Sequence, residues 1–330
     1  MVSVIIPFRN EFEEIGDVLF NLLTSCELCD IEIIVVNDGS TQNSGKFRPL
    51  TLSFPDVKVI NITKPMGVGF AFDRGVESAT GEIVVLMGCD VFPVRGWYEK
   101  VIKSTAKNPF SIGCAVCIGN APPFTKHYGA DLLFTVGADD LPQGSKLRDR
   151  RGGYTDLFKG KWRDKEGDEQ YDLPCLMGAF YFTTKSYYKK IHGWDTEPGN
   201  YFIGHRVWSH LEPYISLKSW LYGGGCYLEP GIEAKHIFGR LDRRNKWSKG
   251  ARSAEWFHWN SIFMLETMIL NEFQRNRLYD FKTPELNWNV AQHYIRKHYA
   301  NVERIKQRNR QEFKNDLSIF TDRFGYKFNS

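Results

Sequence analysis

The sequence predicts an α/β protein built on a doubly wound sheet, with a helical extension at its C-terminal end. Three observations predict it. Short apolar runs alternate with helix-period segments over the first 118 residues. Acids close two of those runs, Asp38 after IEIIVVN and Asp90 after EIVVLMGC. Beyond His236 the pattern turns helical and aromatic. Alternating β and α elements with polar groups at strand ends mark a sheet that binds ligands along its carboxyl edge.

The elements follow in order. SVIIPF (3–8) is an apolar run stopped by Arg9-Asn10-Glu11, the pattern of a buried parallel strand feeding a loop. Ile15, Val18, Leu19, Leu22 and Leu23 recur at helical spacing and predict one apolar stripe. IEIIVVNDGST (31–41) repeats strand and polar turn, with Asp38 and Gly39 in the turn. Residues 57–62 predict a third strand, 69–79 a helix, 82–90 a fourth strand and FSIGCAVCIG (110–119) a fifth. Residues 119–172 are rich in Gly, Pro and charge, which predicts a functional loop or flap. Regular structure resumes at LPCLMGAFYFTT (173–184), followed by a short helix and GWD (193–195). Ala251–Phe273 predicts a long helix, and Thr283-Pro284-Glu285 opens another that runs to about Phe313. The chain divides into residues 1–118, 119–240 and 241–330.

Composition narrows the class. At 42% hydrophobic and 25% charged, the 330 residues are too apolar for disorder. No apolar run approaches ~18 residues, so no membrane span is expected. The opening MVSVIIPF reads as a strand and not as a signal. Seven cysteines, an odd number in a chain of this size, favour free thiols and a reducing, cytoplasmic setting. Cys26–Cys29 and Cys114–Cys117 have zinc-site spacing, but the second pair lies in a strand, where i and i+3 point to opposite faces. The net charge of +4 is uneven: residues 240–330 hold 18 Lys+Arg against 10 Asp+Glu. That basic third suits a polyanionic partner such as DNA or an acidic glycan, or a solvated helical face.

SVIIPFRNE, EIIVVNDGST and GVGFAFDRGVESATGEIVVLMGCDV together resemble the nucleotide-sugar-binding half of GT-A glycosyltransferases of the family 2 type. LPCLMGAFYFTT, HGWD, VWSHLEPYISLKSWLYGGG, EAKHIFGR and ARSAEWFHW follow in an order similar to the catalytic domain of the polypeptide N-acetylgalactosaminyltransferases. The resemblance covers Val2 to Phe273. It implies a GT-A mixed sheet and a UDP-sugar donor held by Pro7, Arg9, Asn10, Glu11, Asp38, Gly67, Asp90 and Gly178.

The family's DxD triplet falls on Gly88-Cys89-Asp90, so the first acid is missing. Asp90 and His236 match the remaining metal ligands, a carboxylate and an imidazole that suit Mn2+ or Mg2+. Departure of a diphosphate leaves charge for such a cation to neutralise. The acidic pair of inverting relatives falls on Leu211-Glu212, whereas retaining relatives carry an amide at the second position. Glu212 is therefore the expected general base.

Arg243-Arg244-Asn245-Lys246-Trp247 loosely resembles the QxxRW motif of processive synthases, without their membrane segments. Trp256, Phe257 and Trp259 at helical spacing read as core before sugar platform. The expected activity is hexosyl transfer to a hydroxyl of a glycan or protein. Transfer to hydroxymethylated bases of DNA is the alternative, and a degenerate sugar-nucleotide-binding protein is the reading from another class. A nucleotidyltransferase is disfavoured, because the segment after Gly67 lacks the Gly-rich, lysine-bearing start those enzymes use.

Overall fold

Val2–Phe8 forms β1, buried along its whole length, with side chains alternating between two helical layers. Val2, Val4, Ile6 and Phe8 pack with Ile15, Val18, Leu19 and Leu22 of α1 (Phe12–Ser25). Ile5 instead faces Phe72 and Val76 of α2 (Val68–Ser78). A strand covered on both faces is what a near-continuous apolar run encodes. Each of the four α1 side chains contributes about 1.5–3 kcal/mol on burial. Leu23, expected on the same stripe, lies at its margin and is 43% exposed.

The computed structural model describes residues 1–26, 30–41, 53–120, 122–133, 159–207, 210–238, 255–269 and 286–326. β2 (Ile31–Asp38) and β4 (Ile83–Met87) flank β1 in parallel, and β3 (Lys58–Ile62) lies outside β2. After β3 the chain returns through α2 to the other side of β1. That reversal opens a crevice beyond the carboxyl ends of β1, β2 and β4.

The second half makes the sheet mixed. β5 (Val91–Pro93) and α3 (Trp97–Lys107) lead into β6 (Ile112–Gly119). Short pieces follow: β7 (Lys126–His127) on β6, then β8 (Ala130–Leu133) and β9 (Lys159–Trp162) as a separate two-stranded sheet. β10 (Tyr171–Asp172) precedes β11 (Phe180–Thr184), which runs antiparallel between β4 and β6. α4 (Lys185–Lys190) starts at the cap Thr184, whose Oγ1 accepts from Tyr187 N–H at 3.1 Å. α5 (Leu211–Leu221) then leads to β12 (Cys226–His236), parallel to β6 with a register shift between Glu229 and Glu233. The segment expected as a loop or flap therefore carries short pairings too brief to show periodicity. Residues 134–158 lie outside the described residues.

The C-terminal extension differs from expectation in one respect. The helix expected to reach Phe313 is two, α7 (Leu286–Lys297) and α8 (Tyr299–Glu312), separated at His298. The break lets the His298 ring stack on Phe202, centroids 3.8 Å apart. Together with α6 (Glu255–Met268), these helices share the core that covers the α2 face of the sheet, and α9 (Ser318–Phe324) closes the chain. No helix among the described residues is long and apolar enough to cross a membrane.

Three arginines of the basic extension pair with acids of the preceding residues, two of them at the surface. Arg304 pairs with Glu197 and Arg308 with Asp195, both at 2.6 Å, and Arg323 pairs with Asp172. Lys306 is buried. These cations have partners within the chain; residues 239–254 and 270–285, including the QxxRW-like stretch, lie outside the described residues. Cys89, Cys114, Cys117, Cys175 and Cys226 are not disulfide-bonded. Cys26 is disulfide-bonded, which departs from the expectation of free thiols throughout.

Candidate active site

The loops after β1 and β2 are stitched together at the carboxyl edge. Thr41 N–H donates to Asn10 Oδ1 at 2.9 Å, and Asn10 N–H donates to Ser40 Oγ at 3.0 Å. Asp38, 4% exposed, accepts from Met66 N–H at 2.6 Å and Gly67 N–H at 2.9 Å. Beside it lies a cavity of about 200 Å³ lined by Arg9, Asp38, Gly67, Tyr201, Arg206 and Trp256, among others.

Arg206 is buried and donates to the carbonyls of Met66 at 2.7 Å, Tyr201 at 2.7 Å and Asn200 at 3.1 Å. Burial pulls its pKa down to about 10, against the opposing pull of Tyr201 and Asp38, so it stays charged at neutral pH. The Tyr201 ring covers the guanidinium at 4.1 Å. Arg9 Nε is buried with no hydrogen-bond partner. Asp38 is also among the residues that line the cavity. Guanidinium donors, a carboxylate and aromatic walls are groups that hold a nucleoside.

A second cluster forms where β4 ends. Antiparallel pairing of β5 with β12 sets Val91 opposite His236, and Ile237 N–H donates to Asp90 O at 3.0 Å. Asp90 Oδ1 comes to 3.4 Å from His236 Nε2. A Cβ on Gly88 would stand 2.9 Å from Asp90 Oδ1 and 3.4 Å from Ala179 Cβ. The space a first acid would enter is thus held by the Asp90 carboxylate. Cys89 Sγ donates to Glu11 Oε2 at 3.0 Å, and Arg9 N–H donates to the same oxygen at 3.3 Å. Glu11 thereby ties this cluster to the nucleoside-sized cavity.

Glu212 sits in the first turn of α5. Tyr181 Oη donates to its Oε1 at 2.9 Å and accepts from Ala179 N–H at 2.9 Å. Gly178 and Ala179 both have positive φ, +109° and +59°. This turn returns the backbone to Gly88, whose N–H donates to Ala179 O at 3.0 Å. A Cβ on Gly178 would meet Cys117 Cβ at 2.7 Å. Burial raises the Glu212 carboxyl above its ordinary 4.5, offset in part by its own backbone bond, by Tyr181 and by the charge of His236.

Asp90 and His236 fit a divalent cation. Their 3.4 Å separation suits two ligands sharing one ion through bonds of about 2.1 Å, and His236 Nδ1 is buried without a hydrogen-bond partner. Among the described residues no three His, Cys, Asp or Glu side chains converge on one point. Next to the pair stands an aromatic wall. The Phe238 ring lies 4.2 Å from that of His236, and those of His127 and Trp162 lie 4.4 Å apart.

With this geometry in view, residues 3–160 match the profile of the family described as "Glycosyl transferase family 2". Those residues are a family 2 glycosyltransferase domain. Similar curated proteins include polypeptide N-acetylgalactosaminyltransferase 5 of Caenorhabditis elegans, 24% identical over 66% of this chain and 33% of that protein. Another is a dolichol-phosphate mannosyltransferase of Pyrococcus furiosus, 29% identical over 48% of this chain and 46% of that one. The chain thus spans about a third of the first of these relatives. Among solved structures, GalNAc-T7 with UDP, GalNAc and Mn2+ aligns with a TM-score of 0.56 and 13% identity, covering 92% of this chain and 57% of that chain. The shared fold is GT-A.

Within the glycosyltransferase domain, Arg9, Asp38 and Gly67 line the cavity, while Asp90 stands in the second cluster. Gly178, Glu212 and His236 lie beyond residue 160 and complete that cluster. Pro7 is buried inside β1, paired with Val36, so it frames the site without facing it. Asn10 and Glu11 are engaged in holding the loops. Sequence reasoning missed Arg206 and Tyr201, which carry no motif, and Tyr181, which sits inside LPCLMGAFYFTT as one more apolar-strand ring; tertiary packing brings all three to the site. Trp259 is fully buried as expected, but Trp256 lines the cavity.

Gly67 is the most constrained position of the domain. It has φ +99° and ψ 161°, a region open essentially only to glycine, and a Cβ there would lie 1.7 Å from Arg206 O. Gly67→Ala is expected to destabilise the fold by more than about 2 kcal/mol and to abolish nucleotide binding. Thermal unfolding and calorimetric titration with UDP check both.

Proposed function

We propose that this chain transfers a hexosyl group from a UDP-sugar to a hydroxyl of a glycan or protein, with inversion at the anomeric carbon. The observation that carries the proposal is the convergence of Asp90, His236 and the Glu212–Tyr181 pair beside a nucleoside-sized cavity. UDP and Mn2+ enter by likeness to the GalNAc-T7 structure.

In this reading Asp38, Arg9 and Arg206 hold the nucleoside, with Tyr201 and Trp256 walling the base. Asp90 and His236 would hold a divalent cation, which when bound would neutralise charge on the departing diphosphate. Glu212 takes the acceptor's hydroxyl proton. The acceptor oxygen then bonds to the anomeric carbon as the carbon–oxygen bond to the diphosphate breaks, and the diphosphate leaves with that electron pair. Tyr181 holds the carboxylate in place through Oε1. His127, Trp162 and Phe238 offer apolar faces to the acceptor, suited to the C–H face of a sugar or to an apolar side chain.

A panel of UDP-, GDP- and dTDP-sugars tests this, assayed for nucleoside diphosphate release with Mn2+ and with EDTA. Turnover of one UDP-sugar, abolished by EDTA, is expected. Binding of UDP without turnover, with glycan and peptide acceptors supplied, would instead identify a sugar-nucleotide-binding protein.

A further inference from the structure

The helix that carries Glu212 is braced by the turn His192–Asp195 and, through that turn, by α8. In the turn His192–Asp195, the Trp194 indole N–H donates to Leu211 O at 3.2 Å, one residue from Glu212, and its ring stacks on Phe72 at 5.0 Å. Asp195 Oδ2 accepts from Lys218 Nζ at 2.6 Å and from the Tyr214 hydroxyl; both partners lie on α5. Asp195 Oδ1 accepts from Arg308 Nη2 of α8 at 2.6 Å. Lys218 Nζ also donates to Gly193 O at 3.0 Å and His192 O at 3.3 Å. Asp73 of α2 fixes the other side of the turn, accepting Trp194 N–H at 3.1 Å and Thr196 N–H at 3.2 Å.

This is a costly arrangement for stability alone. The side chains of Lys218 and Asp195 are both fully buried. A buried ion pair gives little net stability compared with apolar packing, and its best-attested use is to specify one geometry. Burial alone would raise the Asp195 carboxyl; Lys218 and Arg308 more than offset that and hold it below its ordinary 3.8. A neutral residue at position 308 would leave Lys218 alone on the carboxylate and free Oδ1. The turn beneath both ends of α5 would then lose one of its anchors.

We propose that Arg308, acting through Asp195 and Lys218, is a positioning residue for Glu212, which makes α8 of the C-terminal extension part of the catalytic architecture. The inference rests on Glu212 as the base. Displacing a reacting group by about 1 Å costs on the order of 10²-fold in rate.

The test is steady-state kinetics of the full chain. Arg308→Met is expected to lower kcat about 10- to 100-fold with the donor KM unchanged, because Arg9, Asp38 and Arg206 lie outside the network. Arg308→Lys, which keeps the charge, is expected to recover most of that loss. A donor KM that rises in parallel, with no recovery in the lysine variant, indicates general disruption and overturns the inference. Should Arg308→Met fail to fold, Trp194→Phe keeps an aromatic ring beside Phe72 while removing the N–H to Leu211 and part of the indole's volume, and the same kcat against KM split decides. Unchanged kcat in the folded variants beside an inactive Glu212→Gln overturns the inference and leaves the base standing. A fully active Glu212→Gln removes the base assignment itself.

Discussion

Glu212→Gln is expected to lower kcat by about 10²–10⁴-fold, the range a positioned general base contributes, while the donor KM stays near that of the unaltered chain. The amide is isosteric and its carbonyl still accepts from Tyr181, so the local geometry survives. What it loses is the capacity to take the acceptor's proton. In the proposed reading the donor is held elsewhere, at the cavity lined by Arg9, Asp38 and Arg206, which is why binding and turnover should separate. The anomeric configuration of the product, read by NMR, is the independent check on inversion. Full activity in the glutamine variant would remove the assignment.

The pH dependence follows with a definite sign. The working form of a base is the carboxylate, and burial raises the Glu212 carboxyl above 4.5, disfavouring that form. Activity should therefore fall as pH drops, with a midpoint above that of an exposed glutamate. The Tyr181 bond lowers this pKa, so Tyr181→Phe should move the limb to higher pH. An unmoved limb would show that another group controls it.

What the sequence made legible was set by period and by chain-local signals. β1, β2, β4 and α2 read correctly because each is covered along one face or both, so apolar spacing reports the element directly. α5 is buried nearly all round and has no polar face to reveal its helical period; it was legible only through its resemblance to a known family. The division of the last long helix at His298 depends on stacking against Phe202, some hundred residues earlier, and no local pattern encodes it. The same contrast holds at the site. Asp38 and His236 end strands, and Asp90 stands in the turn between β4 and β5, so all three stand out as polar stops. Arg206 lies in an irregular segment and Tyr181 inside an apolar strand, where a hydroxyl pointing at Glu212 looks like any other core ring.

Asp90→Asn is expected to weaken Mn2+ binding by more than about 10²-fold, a larger loss than removal of a residue that only supports a ligand. Binding is read directly from the free Mn2+ signal in electron paramagnetic resonance, with UDP present, so the result does not depend on turnover. The described residues offer such an ion few ligands. Among the described residues Asp90 is the carboxylate paired with His236, and Gly88 contributes no ligand in the triplet where a first acid is absent. With a single acid, charge neutralisation of the ion falls largely to the diphosphate, and affinity without nucleotide should be weak. His236→Ala removes the second ligand and should cost less, because an imidazole is neutral when it binds metal. Gly88→Asp is the instructive converse. Its Cβ would crowd Asp90 Oδ1 at 2.9 Å, so an added acid should displace the existing ligand and not strengthen the site. Mn2+ affinity unchanged in Asp90→Asn would place the ion elsewhere and sever Asp90 from the chemistry.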